Sequence, residues 1–433
     1  ELARAGTVIH IARDDKRMEA MRAAIAAHAP QTAVLEFPAW DCLPYDRVSP
    51  SPAILSHRMS TLAALAANMP APFVLLTTLN AASQRIPSRA TMRSASFVGS
   101  VGSRVDEGQL KGFLARMGFS PVSTVAEVGD YAIRGGIVDI YPPGAGGPVR
   151  LDFFGDVLDG ARRFDPITQR TTEKLTGVEF APMSEVILDE PAIARFRQNY
   201  RIEFGAGGGD DPLYEAVSAG RKHQGMEHWL AFFQGHLETI FDFVPSASVM
   251  LDEGVTAQRL ARSESIADQY DARREAMQAR GRLDSVYKPC PPDLLYLTDA
   301  AWQDALGPRR VVQFSVLPQP VGLNSLDAGA RIGRSFAPER QQENVHLFSA
   351  LADHVKVMSK DAPVVIASWS DGARERLAGL LADQGLAAKD IGTLADLGKA
   401  ASGLYQMVWP LEAGFVAPNM VVISEQDVLG DRL

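Results

Sequence analysis

The chain has 433 residues, of which 46% are hydrophobic and 22% are charged, and its formal net charge at pH 7 is −9. This length exceeds one ordinary domain and predicts about three. The acidity argues against a surface that grips duplex DNA, because such surfaces are usually basic. No apolar run approaches the roughly 20 residues that span a bilayer, so we expect a protein partner and no membrane segment.

Cysteine and histidine are too sparse to predict a disulfide framework or a metal site. Cys42 and Cys290 lie far apart without C-x-x-C spacing, which suits a reducing cytoplasm. His223 and His228 are not at the spacing that places two ligands on one helix face. We therefore expect a cytoplasmic protein with no metal and no cofactor. Residues 1–4 contain neither a Met nor an apolar signal segment, so we interpret the chain as a piece of a longer protein.

Residues 1–95 are predicted to form an α/β domain. Short apolar strands alternate there with helices, and continuously apolar strands are typical of a parallel sheet covered on both faces. The predicted elements are strands at Val8–Ile11, Ala33–Phe37 and Phe73–Leu76, a helix at Asp15–His28, and a helix with Leu55, Met59, Leu62 and Ala66 on one stripe.

Residues 96–182 are predicted to form a small α+β domain. Asp106 can cap a helix with apolar residues at helical spacing, and Gly118 can end it. Strands and turns are predicted at Tyr131–Tyr141, Val149–Phe154, Val157–Phe164 and Val178–Phe180. The stretch 142–148 is rich in Pro and Gly, which predicts a hairpin loop.

Two further regions complete the chain. Residues 183–309 are predicted to be largely helical, with a long helix at Thr256–Arg280 and one apolar strand at Ser248–Leu251. Over residues 310–433 the alternation returns, which predicts a separate small α/β domain. Its predicted elements are strands at Val311–Val316, Pro363–Ser368, Leu404–Trp409 and Met420–Ser424, a helix at Pro338–Met358, and a helix with Leu377, Leu380 and Leu381.

Nucleotide hydrolysis finds little support in the motifs. A phosphate-binding loop needs G-x-x-x-x-G-K-[ST], and Gly398-Lys399 is followed by Ala400. Asp252-Glu253 follows the Ser248–Leu251 strand, where an Asp-Glu pair holds Mg²⁺ in nucleotide-hydrolysing domains. Without a phosphate-binding lysine the pair is interpreted as a remnant of such a site or as an ordinary solvated strand end. We assign no catalytic residue.

The strand Val149–Phe154 carries a candidate interface. Period-two alternation places Val149, Leu151 and Phe153 on one face and Arg150, Asp152 and Phe154 on the other. Arginines and aromatic residues form many interface hot spots, and Arg134 on the neighbouring strand could reach the same face. Truncation of Arg150 or Phe154 is then expected to alter stability by no more than about 0.5–1 kcal/mol. The alternative, equally compatible with the pattern, is a local Arg–Asp pair with Phe154 covered by a loop.

Several runs resemble the transcription-repair coupling factor family (Mfd). The most specific are Gly129–Pro142, with GDYAIRGGIVDIYP, and Arg150–Asp156, with RLDFFGD, followed by Arg163–Pro166 and Gln169–Thr171. A related signature marks the excision-repair protein UvrB. Leu43–Asp46, Arg58–Leu62 and Ile423–Gly430 favour the coupling factors over UvrB. The resemblance extends over essentially the whole chain.

The resemblance implies a fold and a partner. It implies a degenerate P-loop helicase-like, UvrB-like α/β domain 1a (1–95), an inserted UvrA-binding domain 2 (96–182), a domain 1b that packs with 1a (183–309), and a small α/β domain 3 without a known role (310–433). The family's UvrA contacts correspond here to Arg134, Arg150 and Phe154. UvrB's long DNA-probing hairpin has no counterpart in the few residues between Tyr45 and Ile54.

The expected function is that of a non-catalytic adaptor. The family is an ATP-driven DNA translocase that recruits UvrA to stalled RNA polymerase in nucleotide excision repair. Contacts to RNA polymerase and DNA are expected through other parts of the protein, and the UvrA face is expected to be covered within it. Two alternatives are a UvrB-like ATP-dependent DNA-processing module and an autoinhibitory domain that masks the motor.

Overall fold

A computed structural model of the chain describes residues 6–205, 211–279, 287–317, 319–320, 322, 324–342, 346–398 and 402–430. The chain divides into two compact units. The first consists of Glu1–Asp15 and Val34–Phe314, and the second of Lys16–Ala33 and Ser315–Leu433. Among the described residues, no helix has the length and apolar character needed to span a bilayer.

The first unit contains a five-stranded parallel sheet. Its strands lie in the order Val311–Gln313, Ser248–Leu251, Val8–Ala12, Val74–Thr78 and Val34–Phe37. Val8–Ala12 and Val74–Thr78 are buried along their whole length, as expected for inner strands of a parallel sheet. The three strands predicted near the start of the chain are confirmed, and Ser248–Leu251 joins them beside Val8–Ala12.

One predicted strand belongs to a different sheet from the one expected. Val311–Val316 was assigned to the C-terminal α/β domain, but the observed strand, Val311–Gln313, pairs with Ser248–Leu251 at the edge of the first sheet. The assignment was wrong because a short apolar strand has the same local pattern in either sheet. Its place is decided by packing between residues distant in sequence.

The first unit also contains helical segments, among them the predicted helix with Leu55, Met59, Leu62 and Ala66. Pro52–Ala66 begins after Ser51, whose side chain accepts a hydrogen bond from the Ile54 N–H, and it buries the predicted apolar stripe. Residue 280, the predicted end of the long helix, lies outside the described residues. The other helical segments are Leu79–Ala82, Arg89–Ser94, Glu107–Arg116, Glu190–Phe204, Pro212–Ser218, Met226–Trp229, Leu230–Phe233, Ile240–Phe243, Val255–Ala279, Pro292–Leu295 and Asp299–Leu306.

A second sheet, of six strands, lies within the first unit and forms the small α+β part of the chain; it is termed the small sheet. Its order is Thr171–Leu175, Val157–Phe164, Val149–Phe154, Ile137–Ile140, Asp130–Arg134 and Ser120–Pro121. The helix Glu107–Arg116, capped by Asp106 as predicted, buries Leu110 and Leu114 in the same core as Val138, Ile140 and Leu151. The segment Tyr131–Tyr141 is two strands, because a tight turn at Gly135-Gly136 reverses the chain.

Two short pairings complete the first unit. Gly177–Phe180, close to the predicted Val178–Phe180, pairs with Phe97–Ser100 rather than with the six-stranded sheet. Leu237–Glu238 pairs with Ile86–Pro87. The segment that leaves the small sheet therefore returns beside the segment that enters it.

The second unit is a mixed α/β structure. Its sheet order is Arg331–Ile332, Phe415–Ala417, Met420–Ser424, Pro363–Ser368, Gly403–Val408 and Lys389–Asp390. Its helical segments are the predicted Asp15–His28, grouped here from Lys16 onward, and Ala337–Gln341, Leu347–Met358, Asp371–Ala382, Leu394–Leu397 and Glu425–Leu429. The single helix predicted at Pro338–Met358 is two helices, with residues 343–345 outside the described part.

Candidate functional site

The strand Val149–Phe154 has the predicted phase. Val149 and Leu151 face the core and are 3% and 0% exposed, whereas Arg150 is half-buried on the other face. Phe154 is 82% exposed, so no loop of the described residues covers it. Phe153 packs against the core but is only partly buried. The strand therefore leaves one large aromatic side chain in solvent on its polar face.

Two tight turns place Arg134 and Phe154 at the same end of this sheet. Arg134 pairs with Ile137 across the turn Gly135-Gly136, and Phe154 pairs with Val157 across the turn Gly155-Asp156. Gly135 has φ +60°, a conformation that favours glycine. A Cβ on Gly136 would lie 2.7 Å from the Phe153 carbonyl oxygen, so a side chain there would displace backbone.

Arg150 is held in place by its neighbours. It pairs across the sheet with Asp139, and its Nε and Nη2 donate hydrogen bonds of 2.7 and 2.9 Å to the two Asp139 carboxylate oxygens. The guanidinium lies 4.7 Å from the centre of the Phe164 ring. Hydrogen bonding to Asp139 raises the pKa of Arg150. The alternative interpretation is therefore correct about the Arg–Asp pair. It is wrong about Phe154, which no described loop covers.

The remaining charges of this face are largely paired. Arg162, opposite Arg150, donates to Asp152 on this face, whereas Arg163, opposite Val149, donates to Glu173 over 2.7 Å on the other face. Arg134 is exposed and donates to the Ser123 carbonyl oxygen, and among the described residues no carboxylate pairs with it. The sheet therefore presents one arginine whose charge is uncompensated by a described neighbour.

Sequence reasoning missed Ile137 and Asp139 as members of this face. Val138 and Ile140 lie in the core, so alternation directs Ile137 and Asp139 outward beside Asp152 and Arg150. Ile137 is 39% exposed, which adds apolar surface at the end of the sheet that carries Phe154. The I-V-D-I alternation was a usable signal, but only the observed register matches Asp139 with Arg150.

Asp252 and Glu253 lie at the carboxyl end of the first sheet. The Asp252 N–H donates to the Ile11 carbonyl over 2.9 Å, and Asp252 is 1% exposed. The helix Val255–Ala279 begins directly after this pair. Within the described ranges, no group of three or more His, Cys, Asp or Glu side chains is arranged to hold a metal ion.

A buried ion pair, also missed from sequence, lies where the small sheet joins the first sheet's helices. Arg58 and Glu185 are both fully buried, with Nε and Oε1 2.5 Å apart. Arg58 Nη1 donates to the Pro38 carbonyl over 2.8 Å, and the Trp40 indole N–H donates to Glu185 over 3.0 Å. This network ties the helix Pro52–Ala66 to the segment that follows the small sheet.

A second buried polar group surrounds His228. Burial lowers the pKa of His228 to about 4 and raises that of Cys42, 4.0 Å from its ring, to about 12. Burial also raises the pKa of Glu227, which accepts a 2.7 Å hydrogen bond from Ser49. Burial therefore disfavours the thiolate of Cys42, which is the nucleophilic form.

Two family models match separate segments of the chain. A family model described as the UvrB interaction domain matches residues 99–185, and one described as MFD, D3 domain, matches residues 357–428. The first match contains the sheet with Arg134, Arg150 and Phe154.

Several curated proteins that are similar to this chain are transcription-repair-coupling factors. The one from Escherichia coli is 30% identical over 436 residues, covering 99% of this chain and 36% of that protein. The one from Haemophilus influenzae is 28% identical over 404 residues, with 92% and 34% covered. The one from Myxococcus xanthus is 32% identical over 275 residues, with 60% and 22% covered. The chain spans about a third of the length of the first of these relatives. The chain therefore matches models of a UvrB interaction domain and an MFD D3 domain, and over almost its whole length it is similar to transcription-repair-coupling factors.

Proposed function

We propose that this chain is a docking region that binds UvrA and links it to transcription during nucleotide excision repair. The binding face consists of Arg134, Arg150 and Phe154, with Ile137 beside them. Contacts to stalled RNA polymerase and to DNA are assigned to other parts of the longer protein. The proposal adds a partner and a surface to the homology with coupling factors.

The observation that carries the proposal is the exposure of Phe154. A phenylalanine that is 82% exposed on a charged sheet face is unfavourable in isolation and becomes favourable when a partner buries it. Aromatic and arginine side chains are the residues most often found at interface hot spots. The face also lies within the residues matched by the UvrB interaction domain model.

The first sheet is proposed to be a helicase-like, UvrB-like domain without hydrolase activity. The parallel sheet and the Asp252-Glu253 pair at its carboxyl edge favour a nucleotide-hydrolase ancestry. The 433 residues contain no G-K-[ST] to place a lysine on a transferred phosphoryl group. Residues 310–433 receive no partner in this proposal.

The direct test is a titration of purified UvrA with the 433-residue chain and with three variants, Arg134→Ala, Arg150→Ala and Phe154→Ala. Each truncation is expected to weaken binding by roughly thirtyfold or more, since a hot spot contributes about 2 kcal/mol. UvrB added as a competitor is expected to displace the chain, because the two carry related signatures. Unchanged affinity in all three folded variants would refute the proposed face.

A further inference from the structure

The guanidinium of Arg150 has one side that binds Asp139 and another side that is free to bind a partner. A guanidinium has five N–H groups. Nε and Nη2 donate to Asp139, while Nη1 makes no hydrogen bond to any described residue. The Arg150 side chain is 22% exposed, and that of Asp139 only 2%. Asp139 is therefore inaccessible to a partner, whereas part of Arg150 is reachable.

Two neighbours, Asp139 and Phe164, fix this orientation. Asp139 and Arg150 are directly paired residues of adjacent antiparallel strands, so their Cβ atoms lie about 5 Å apart. Phe164 stacks on the guanidinium, and its own packing against Val125 and Ala132 holds the ring in place. A bidentate arginine–carboxylate contact adds geometric specificity that a single hydrogen bond lacks.

We propose that Asp139 is a positioning residue of the partner-binding face: it holds Arg150 so that the Nη1 N–H groups are presented to a neutral oxygen acceptor on the partner. This inference rests on the proposed function. The acceptor is a main-chain carbonyl or an amide oxygen, because Asp139 already compensates the arginine's charge and would repel a second carboxylate. An acidic group on the partner is matched instead by Arg134, which pairs with no described carboxylate.

The test compares two carboxylates on the same sheet. Asp139→Asn removes the carboxylate that holds Arg150, and Glu173→Gln removes the one that pairs with Arg163 on the opposite face of the sheet. UvrA affinity is measured for both variants and for Arg150→Ala, with folding verified on each sample. We expect Asp139→Asn to weaken binding at least tenfold, approaching the effect of Arg150→Ala. Glu173→Gln is expected to change the affinity by no more than about twofold.

A second readout reports on position alone. The Arg150 Nε–Hε resonance is expected to be sharp and slow to exchange in the wild-type chain, because the bond to the buried Asp139 protects it. In folded Asp139→Asn it is expected to broaden and exchange faster, although the arginine is unchanged. A purely structural role of Asp139 would alter stability without this coupled loss of affinity.

Three results would decide against the inference. Wild-type affinity of folded Asp139→Asn, while Arg150→Ala fails to bind, would overturn it and leave the proposed function standing. Normal binding by Arg150→Ala would instead remove Arg150 from the proposed face. If Asp139→Asn does not fold, Asp139→Glu keeps the charge but moves the carboxylate by one methylene. It is expected to fold and to bind at least threefold more weakly, and wild-type affinity would overturn the inference.

Discussion

Arg150 and Asp139 form a two-bond ion pair across adjacent strands, with the carboxylate almost fully buried and the arginine partly exposed. Removal of Arg150 therefore leaves a buried carboxylate without its cation. Breaking a fully buried pair costs about 3–5 kcal/mol. Because Arg150 is partly solvated, we expect Arg150→Ala to lower the free energy of unfolding by about 2–3 kcal/mol, measured by urea denaturation. This expected loss of stability is larger than the limit of about 0.5–1 kcal/mol that strand alternation alone predicts.

The control for this prediction is Arg162→Ala. Arg162 and its partner Asp152 are 40% and 24% exposed in their side chains, so water can solvate the carboxylate that remains. We expect a loss below about 1 kcal/mol, as for other exposed pairs. Equal losses in the two variants would show that the burial of Asp139 has no energetic consequence.

Phe153 and Phe154 are adjacent side chains that are expected to respond in opposite ways. Phe154→Ala should abolish most UvrA binding and leave the thermal midpoint nearly unchanged, because its side chain is already in solvent. Phe153→Ala should lower stability by about 2–3 kcal/mol, less than a fully buried phenylalanine, since Phe153 is only partly buried. The measurements are thermal melts and UvrA titrations. A reversed pattern would contradict the assignment of the docking face.

The Arg58–Glu185 pair is expected to stabilise the junction between the small sheet and the rest of the first unit. Arg58→Met should destabilise the chain by about 3–5 kcal/mol, because it leaves Glu185 fully buried and without its cation. The double variant Arg58→Met with Glu185→Leu should recover at least half of this loss, since it removes the stranded charge. Full recovery is not expected, because the Trp40 N–H loses its acceptor. A double variant no more stable than the single one would contradict the role assigned to the charge.

His228 predicts a specific dependence of stability on pH. Burial lowers its pKa to about 4, below the value of about 6.5 in an unfolded chain. The unfolded state therefore binds more protons between these values, and the contribution of His228 to stability is lost as pH falls from about 6.5 to about 4. The limit is about 3 kcal/mol.

The variant His228→Gln isolates this effect from other titrating groups. Glu227, whose pKa is raised, contributes with the opposite sign in an overlapping range, but it is present in both chains. We expect the stability difference between wild type and His228→Gln to shrink as pH falls from 7 to 4 in urea denaturation. A difference independent of pH would contradict the low pKa of His228.

ATP turnover by this chain is expected to stay at background, with or without DNA. Without a phosphate-binding lysine, Asp252 and Glu253 cannot by themselves stabilise charge on the transferred phosphoryl group. The measurement is phosphate release by wild type and by the Asp252→Ala, Glu253→Ala double variant. DNA-stimulated turnover that the double variant loses would support the alternative of an ATP-dependent DNA-processing module.

The local sequence pattern was sufficient to predict an element where one of its faces is buried and the other is exposed. The alternation in Val149–Phe154 and the helical spacing after Asp106 both predicted which side chains enter the core. Pattern was insufficient where pairing partners lie far apart in sequence. Val311–Gln313 has a local pattern compatible with the sheet of either unit, and only tertiary packing placed it beside Ser248–Leu251.

The same limit applies to the candidate face. Arg150 and Phe154 were found from one strand, because alternation needs no knowledge of the partner strand. The pairing of Arg150 with Asp139 depends on the register across the 142–148 loop, which the sequence does not define. The buried pair Arg58–Glu185 joins residues 127 positions apart, so neither residue could be recognised as buried from its own neighbours.

The position of Gly144 affects how much of the small sheet a bound protein can cover. A Cβ at Gly144 would lie 2.6 Å from the Ser60 Cβ, so the 142–148 loop lies directly against the helix Pro52–Ala66. Arg134 and Phe154 are at the opposite end of the strands, roughly 20 Å away for a six-residue strand. A standard footprint of about 800 Å² per partner corresponds to a disc of about 16 Å radius. A protein that docks on the small sheet around Phe154 therefore need not disrupt the contact between the 142–148 loop and the helix Pro52–Ala66.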